Sequence, residues 1–93
     1  MSEPELTPEQ VIDEIKKMKV SDLLLSTVTT LAQLAYAKLE EGTRDLVQAR
    51  IAIDAMSTLL PLIEEHVPEE IVRDLRSVLA NLQLAYAQAA GSD

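Results

Sequence analysis

A single apolar seam between residues 46 and 63 most constrains what this chain can fold into. The apolar residues of the seam recur at steps of three and four, as Leu46, Ala49, Ile53, Met56, Leu60 and Ile63. This spacing is typical of one stripe along a helix, close to the 3.5-residue period of long antiparallel or coiled-coil packing. Because a helix with such a stripe is unstable alone in water, we expect other helices to cover it.

Two further stretches carry helical stripes of similar length. One consists of Leu24, Val28, Leu31, Ala35 and Leu39, and the other of Ile71, Leu75, Val78, Leu82, Ala85 and Ala89. The chain has only two glycines and no long β-branched alternation, which argues against a sheet. We therefore predict an all-α fold, a small helical bundle with three long helices at about residues 22–41, 44–65 and 68–90.

A short N-terminal helix is predicted at about residues 8–19. Thr7 can cap this helix, Pro8 suits its first position, and Gln10 stands where a capping box has its partner. Its apolar residues are few, so we interpret it as a docking arm. Residues 1–6 are expected to be disordered, and residues 1–93 are expected to form one domain.

Several residues mark the predicted boundaries of the long helices. Ser21 and Asp22 are predicted to cap the start of a helix. Gly42 is predicted to end that helix in a left-handed conformation, and Thr43 to cap the next helix. Pro61 lies inside that next helix, where its ring should either kink the helix or split it in two. We favour a kink, because the apolar face continues beyond the proline.

The charge of the chain excludes several classes of partner. The formal net charge is -8, from 16 acidic and 8 basic residues. Without a surplus basic surface, we expect binding neither to nucleic acid nor to an anionic membrane. No apolar run approaches the roughly 20 residues of a membrane span, and the acidic first residues lack the pattern of a signal peptide. A cytoplasmic protein without a membrane partner is the expectation.

Residues able to carry chemistry are few. The absence of cysteine excludes a disulfide, a thiolate nucleophile and a cysteine metal site. The single His66 falls between two predicted helices, and Pro68 interrupts the helix that would align it with Glu70 as a metal ligand. There is no phosphate-binding loop and no nucleophile motif. We therefore expect no enzymatic activity, no metal and no cofactor.

Two groups of acidic residues have both a structural and a functional interpretation. Asp54 lies about 100° from the seam. A surface ion pair with Arg50 is favoured over a polar contact that fixes the register between subunits. A second group surrounds the last helix break and consists of Glu64, Glu65, Glu69 and Glu70. This group could attract a cation or a basic protein, but a solvated charged surface is the favoured interpretation.

The segment Gln-Leu-Ala-Tyr-Ala occurs twice, at residues 33–37 and 83–87. A duplication would make two of the long helices equivalent. A chance match between helices rich in leucine and alanine is at least as well supported, because the flanking residues differ. In either case we expect Tyr36 and Tyr86 to pack their rings at an edge of the bundle with the hydroxyls in water.

The apolar stripes are wider than a three-helix bundle needs. The residues outside the main seams include Ile51, Ala52, Leu59, Leu62 and Leu84. This excess predicts a second buried face, supplied by self-association into a dimer or a tetramer. The candidate contacts of the core and the oligomer are Leu46, Ala49, Ile53, Asp54, Met56, Leu60, Ile63 and Tyr86.

The expected function is therefore that of a homo-oligomerising interaction or adaptor module, with a second copy or another protein as its partner. The alternative is a bundle that binds a small apolar ligand. Small residues could leave room for such a ligand, or could equally let helices approach closely, and these residues are Ala35, Ala49, Ala52 and Ala85.

Residues 45–56, Asp-Leu-Val-Gln-Ala-Arg-Ile-Ala-Ile-Asp-Ala-Met, resemble the core motif of the bacterial domain-of-unknown-function family 1844. The Leu-Leu-Leu-Ser of residues 23–26 and the Leu-Gln-Leu-Ala-Tyr of residues 82–86 are similar to the flanking helices of that family. The resemblance covers about residues 20–88 and implies a small cytosolic helical bacterial protein without an assigned activity. The chain departs from the family pattern in Pro61 and in lacking an aromatic residue in the first helix, and the resemblance adds no catalytic residue.

Overall fold

The fold is described from a computed structural model that covers residues 7–91. The described residues contain helices and no strand, which confirms the all-α prediction. The four α-helices are α1 (Pro8–Lys17), α2 (Val20–Leu39), α3 (Leu46–Ile63) and α4 (Glu69–Gly91). Single 3₁₀ turns follow α2 at Glu41–Thr43 and α3 at Glu64–His66. The disorder expected for residues 1–6 lies outside the described residues.

α1 begins with the predicted capping box. The hydroxyl of Thr7 accepts a hydrogen bond from the backbone N–H of Gln10 at 3.1 Å. The side-chain oxygen of Gln10 accepts one from the N–H of Thr7 at 2.8 Å. α1 ends at Lys17, two residues before the predicted boundary, because Met18 and Lys19 have extended backbone conformations.

α2 begins at Val20. The prediction that Ser21 and Asp22 cap this helix is therefore wrong. Lys19 occupies the N-cap position without a side-chain hydrogen bond. Its carbonyl accepts hydrogen bonds from the N–H groups of Asp22 and Leu23 at 3.1 and 3.2 Å. Asp22 instead lies in the first turn, where its carboxylate interacts favourably with the helix dipole.

The connection between α2 and α3 corrects two further predictions. Gly42 does not adopt a left-handed conformation, because the chain leaves α2 through a tight 3₁₀ turn that contains this glycine. The cap of α3 is Asp45 rather than Thr43, and the carboxylate of Asp45 accepts a hydrogen bond from the N–H of Gln48 at 3.1 Å. The hydroxyl of Thr43 donates to the carbonyl of Ala37 and so satisfies one of the last carbonyls of α2.

α3 continues through Pro61 and is not split by it. Pro61 has no N–H to donate to the carbonyl of Ser57, so this helical hydrogen bond is missing. The helix ends two residues later at Ile63, which confines the effect of the proline to the last turn. α4 then begins after Pro68, whose carbonyl accepts a hydrogen bond from the N–H of Ile71 at 3.0 Å.

α2, α3 and α4 pack together as the three stripes predict. α2 and α3 share the most extensive contact, and α4 packs against both. Among the described residues no polar or charged residue is buried. The core consists of Val28, Ala32, Ala35 and Leu39 from α2, of Ala49, Ala52, Ile53, Met56, Leu60 and Ile63 from α3, and of Leu75, Leu82 and Ala89 from α4.

α1 takes no part in this core. Every residue from Thr7 to Val20 is exposed, and α1 makes at most marginal contact with the other helices. The Cα radius of gyration is 16.9 Å. A compact chain of this length has a radius of about 12 Å. The structure is therefore more extended than a compact domain of this length.

Candidate functional site

The predicted contact residues of α3 lie mainly inside the chain's own core. Ala49, Met56 and Ile63 have no exposed surface, and Ile53 and Leu60 are 5% and 2% exposed. These five side chains pack against other helices of the same chain. A contact with another molecule therefore has to use different residues.

The other three predicted contact residues lie at the edge of the core. Leu46 and Tyr86 are half-buried and pack against it. Asp54 is exposed, and its carboxylate lies 3.6 Å from Nε of Arg50. This distance confirms the ion-pair interpretation of Asp54, and an exposed pair of this kind contributes only about 0–1 kcal/mol.

The residues considered for chemistry do not assemble into a reactive centre. No group of three or more histidine, cysteine or acidic side chains within residues 7–91 could hold a metal ion. Glu64 forms an ion pair with Arg76, which links the end of α3 to α4. Glu65, Glu69 and Glu70 are exposed. The geometry fits the solvated charged surface that the sequence favoured.

One side of the α2–α3 pair is left uncovered by α4. Two shallow depressions on this side are lined by residues of α2 and α3, with His66 of the following 3₁₀ turn in one of them, and by no residue of α4. Val20, Ser21 and Leu24 lie beside the end of α3 in one depression. In the other, Leu31, Leu34 and Lys38 lie beside Gln48, Ile51 and Ala52, near the start of α3. Because the start of one helix lies beside the end of the other, α2 and α3 run antiparallel.

We call this uncovered side the open face. It is defined by Val20, Leu24, Thr27, Leu31 and Leu34 in α2, together with Ile51, Ala55, Leu59 and Leu62 in α3. The steps of three and four between these residues place each set on one side of its helix. The floor is half-buried, whereas Leu34, Ile51 and Leu62 on the rim are 48%, 56% and 62% exposed.

From Val20 to Leu34 in α2 and from Ile51 to Leu62 in α3 the open face carries no charged side chain, and Lys38 lies at its end. Between Val20 and Ala37 the only charged residue is Asp22. Asp22 precedes Leu31 by nine residues. At about 100° per residue this separation places Asp22 on the opposite side of α2. The two charges of α3, Arg50 and Asp54, pair with each other and line a depression shared with α4.

Two threonines on this side of the α2–α3 pair have hydroxyl groups that already donate hydrogen bonds within their own helices. The hydroxyl of Thr27 donates to the carbonyl of Leu23 at 2.8 Å, and that of Thr58 donates to the carbonyl of Asp54 at 2.9 Å. Both hydroxyl protons are therefore taken up by the backbone of the preceding turn. The threonines can offer their methyl groups to a partner without losing these hydrogen bonds.

A second uncovered apolar surface lies on α1 and the residue that follows it. We call it the arm face, and it consists of Val11, Ile12, Ile15 and Met18. These side chains are 39%, 50%, 61% and 56% exposed, respectively. Steps of three within this set place it on one side of the helix. α1 is therefore amphipathic, and its apolar side is largely exposed within residues 7–91.

Within residues 7–91, one helical segment meets the length and composition of a membrane span. The stretch Leu46–His66 is long and apolar enough, so the prediction that no run approaches this length is wrong. Core helices of soluble proteins pass the same test. α3 has six buried side chains, and those side chains pack against α2 and α4. Its apolar composition is thus explained in part by the core.

No protein-family model matches the chain, and no curated protein or solved structure matches it either.

Charge-free stretches in the sequence are the signal that points to the open face. The apolar stripes predict Ile51 and Leu62 as surplus to the core, but they do not connect α1 and Leu34 with these two residues. The long charge-free stretches of α2 and α3 pointed to a shared uncharged side. Only the packing of α4 shows which side of the pair remains open.

Proposed function

We propose that this protein is a homo-oligomerising helical interaction module whose self-association buries the open face. The observation that carries the proposal is the lack of any charge on this face in a chain with a net charge of -8. Cores of protein interfaces are depleted in charged residues. Contiguous exposed apolar patches mark interaction sites more often than isolated apolar residues do.

The size of the open face fits part of a protein interface. The open face extends from Val20 to Leu34 in α2, and a helix rises about 1.5 Å per residue, so the face is about 21 Å long. Two packed helices with axes 8–10 Å apart make it roughly 15–20 Å wide. The projected area is on the order of 400 Å², about half of the roughly 800 Å² of accessible surface that each partner buries in a standard interface.

A second copy of the chain is the partner that best fits this face. Identical apolar surfaces can cover each other around a two-fold axis, which is the commonest symmetry of soluble oligomers. A dimer removes the exposed rim residues Leu34, Ile51 and Leu62 from water on both copies. Each buried side chain of this size contributes about 1.5–3 kcal/mol.

Sedimentation equilibrium tests the proposal directly. We expect a mass of at least twice the 10.2 kDa of the single chain, with dissociation at low concentration. A mass of one chain over the whole accessible concentration range would overturn the proposal.

The repeated Gln-Leu-Ala-Tyr-Ala segment offers a matched pair of variants. Leu34 and Leu84 have the same neighbours in sequence and are 48% and 59% exposed. Only Leu34 belongs to the open face. We expect Leu34→Gln to weaken self-association by about tenfold or more, since one buried leucine contributes over 1.4 kcal/mol. Leu84→Gln should leave the dissociation constant unchanged, and equal effects of both variants would argue against the open face.

We do not propose ligand binding as the function. Ala35 and Ala49 have no exposed surface, and Ala52 is 6% exposed. Their burial in the core supports the second interpretation of their size, in which small residues let the helices approach closely. The depressions found within residues 7–91 are open to solvent.

A further inference from the structure

We infer that α1 of one copy packs through its arm face on the open face of a second copy, so that two copies exchange arms. This inference rests on the proposed self-association and names the contact that produces it. One chain presents both an uncovered apolar helix and an uncovered apolar face. Exchange of arms between two copies covers the arm face and the open face of each copy. Contact between the open faces alone leaves both arm faces in water.

The conformation of α1 supports a partner for the arm face. α1 has ten residues. Isolated helices shorter than about 12–15 residues are marginal in water. A regular helix of this length with Val11, Ile12 and Ile15 exposed therefore requires a packing surface for its stability. Met18 and Lys19 are both extended, and they direct α1 away from the bundle of its own chain.

Charge distribution gives the orientation of the arm. Glu9 lies in the first turn of α1, whereas Asp13 and Glu14 lie in its second half, before Lys16 and Lys17 in the last turn. The open face is flanked at one end by Lys38, which lines a depression with Leu34 and Ile51. Placing Glu9 beside the partner's Lys38 makes α1 antiparallel to the partner's α2. The opposite orientation would put like charges together.

The lengths of the two surfaces are also compatible. Ten residues of α1 span about 15 Å, half of the roughly 30 Å spanned by α2. Beginning beside Lys38, the arm therefore covers the part of the open face around Leu34 and Ile51. The remaining part, around Leu24 and Leu62, is left to face the same part of the second copy across the two-fold axis.

A pair of double variants tests the arm face. Ile12→Ser with Ile15→Ser replaces two residues of the arm face. Asp13→Ser with Lys17→Ser places the same two serines on the polar side of the same helix and leaves the net charge unchanged. We expect the first double variant to weaken self-association by about 100-fold and the second to change it by less than threefold. All four side chains are exposed, so both variants should keep the fold, as circular dichroism will verify.

Cross-linking provides a second measurement that locates the contact. The chain has no cysteine, so single cysteines introduced by substitution react selectively. Ile15→Cys protein is mixed with Leu34→Cys protein of different tag length and treated with a short bifunctional maleimide. We expect the mixed covalent dimer in at least tenfold excess over the product of Ile15→Cys with Asn81→Cys. Asn81 is an exposed residue of α4 and serves as the control.

The outcomes separate this inference from the proposed function. Self-association that survives Ile12→Ser with Ile15→Ser overturns arm exchange and leaves the proposed function standing. A monomeric wild-type protein overturns both. In a chain that carries both Ile15→Cys and Leu34→Cys, cross-linking within the chain without a covalent dimer shows that the arm folds onto its own bundle and overturns the exchange. Flotation of wild-type protein with phosphatidylcholine vesicles, lost in the same double variant, assigns the arm face to a lipid surface and likewise overturns it.

Discussion

Asp54 and Met56 lie two residues apart on α3 and have opposite roles. Met56 is fully buried between helices, whereas Asp54 is exposed and pairs with Arg50. Two residues correspond to a rotation of about 200° around a helix, which is enough to turn a side chain from the core to the solvent. At this scale, the position on the helix decides whether a substitution affects stability.

The variant Met56→Ala tests the importance of the core position. We expect it to lower the free energy of unfolding by about 2–5 kcal/mol, because it leaves a cavity among side chains from neighbouring helices. The control is Val47→Ala, since Val47 lies on the same helix and is 70% exposed. This control should change stability by no more than about 0.5 kcal/mol in urea unfolding. Similar losses for both variants would contradict the assigned core.

The ends of the helices show how local hydrogen bonds set the boundaries. Asp45 caps α3, and Thr7 with Gln10 caps α1. The same kind of cap has different consequences in the two helices. α3 is held by the core along most of its length, while α1 depends on its cap and on whatever covers the arm face.

Substitution of Asp45 tests the cap of α3. Asp45→Ala removes the acceptor for the N–H of Gln48 and should lower the free energy of unfolding by about 0.5–2 kcal/mol. Asp45→Asn keeps a side-chain oxygen that can accept this hydrogen bond, so most of the stability should remain. Urea unfolding of both variants checks the assignment, and an equal loss in Asp45→Ala and Asp45→Asn would show that the cap is not the cause.

Hydrogen exchange of α1 should depend on protein concentration. An arm without a partner opens with little free energy, because short helices are marginal in water. At concentrations where the protein is dimeric, we expect the amides of α1 to exchange at least tenfold more slowly than at concentrations where it is monomeric. Amides of α3 around Met56 serve as the internal control. Rapid exchange in α1 at every concentration would contradict a covered arm.

The whole molecule combines a strong negative charge with two uncharged apolar surfaces. The net charge of -8 makes two copies repel each other, while in the proposed dimer apolar burial of the open face and the arm face favours association. Salt screens the repulsion between the charges and leaves the apolar attraction nearly unchanged. The balance between the two is therefore set by ionic strength.

Raising the salt concentration should tighten self-association. An increase from about 0.01 M to about 0.1 M shortens the Debye length from about 30 Å to about 10 Å, so repulsion between the two copies falls. We expect the dissociation constant to decrease severalfold, as measured by sedimentation at fixed pH. An increase in the dissociation constant would show that attractive ion pairs, such as those of Lys38, outweigh the net repulsion.

The sequence by itself determined the fold class and most of the core. Stripes at steps of three and four predicted which side of each long helix is apolar, and Ala49, Ile53 and Met56 are buried accordingly. The capping box of Thr7 and Gln10 was also readable, because its hydrogen bonds join residues only three apart. Both kinds of signal are local, so the residues that carry them lie close together in the chain.

The tertiary structure alone decided which apolar surfaces remain open. A stripe shows that a side of a helix needs cover, but it does not show which of several apolar helices provides it. Here α4 covers one side of the α2–α3 pair, and α1 makes at most marginal contact with the other described helices. The seam from Leu46 to Ile63 is therefore covered by other helices of the same chain, whereas Leu34, Ile51 and Leu62 are exposed. The relative placement of whole helices creates the open face, and placement depends on contacts between residues far apart in the sequence.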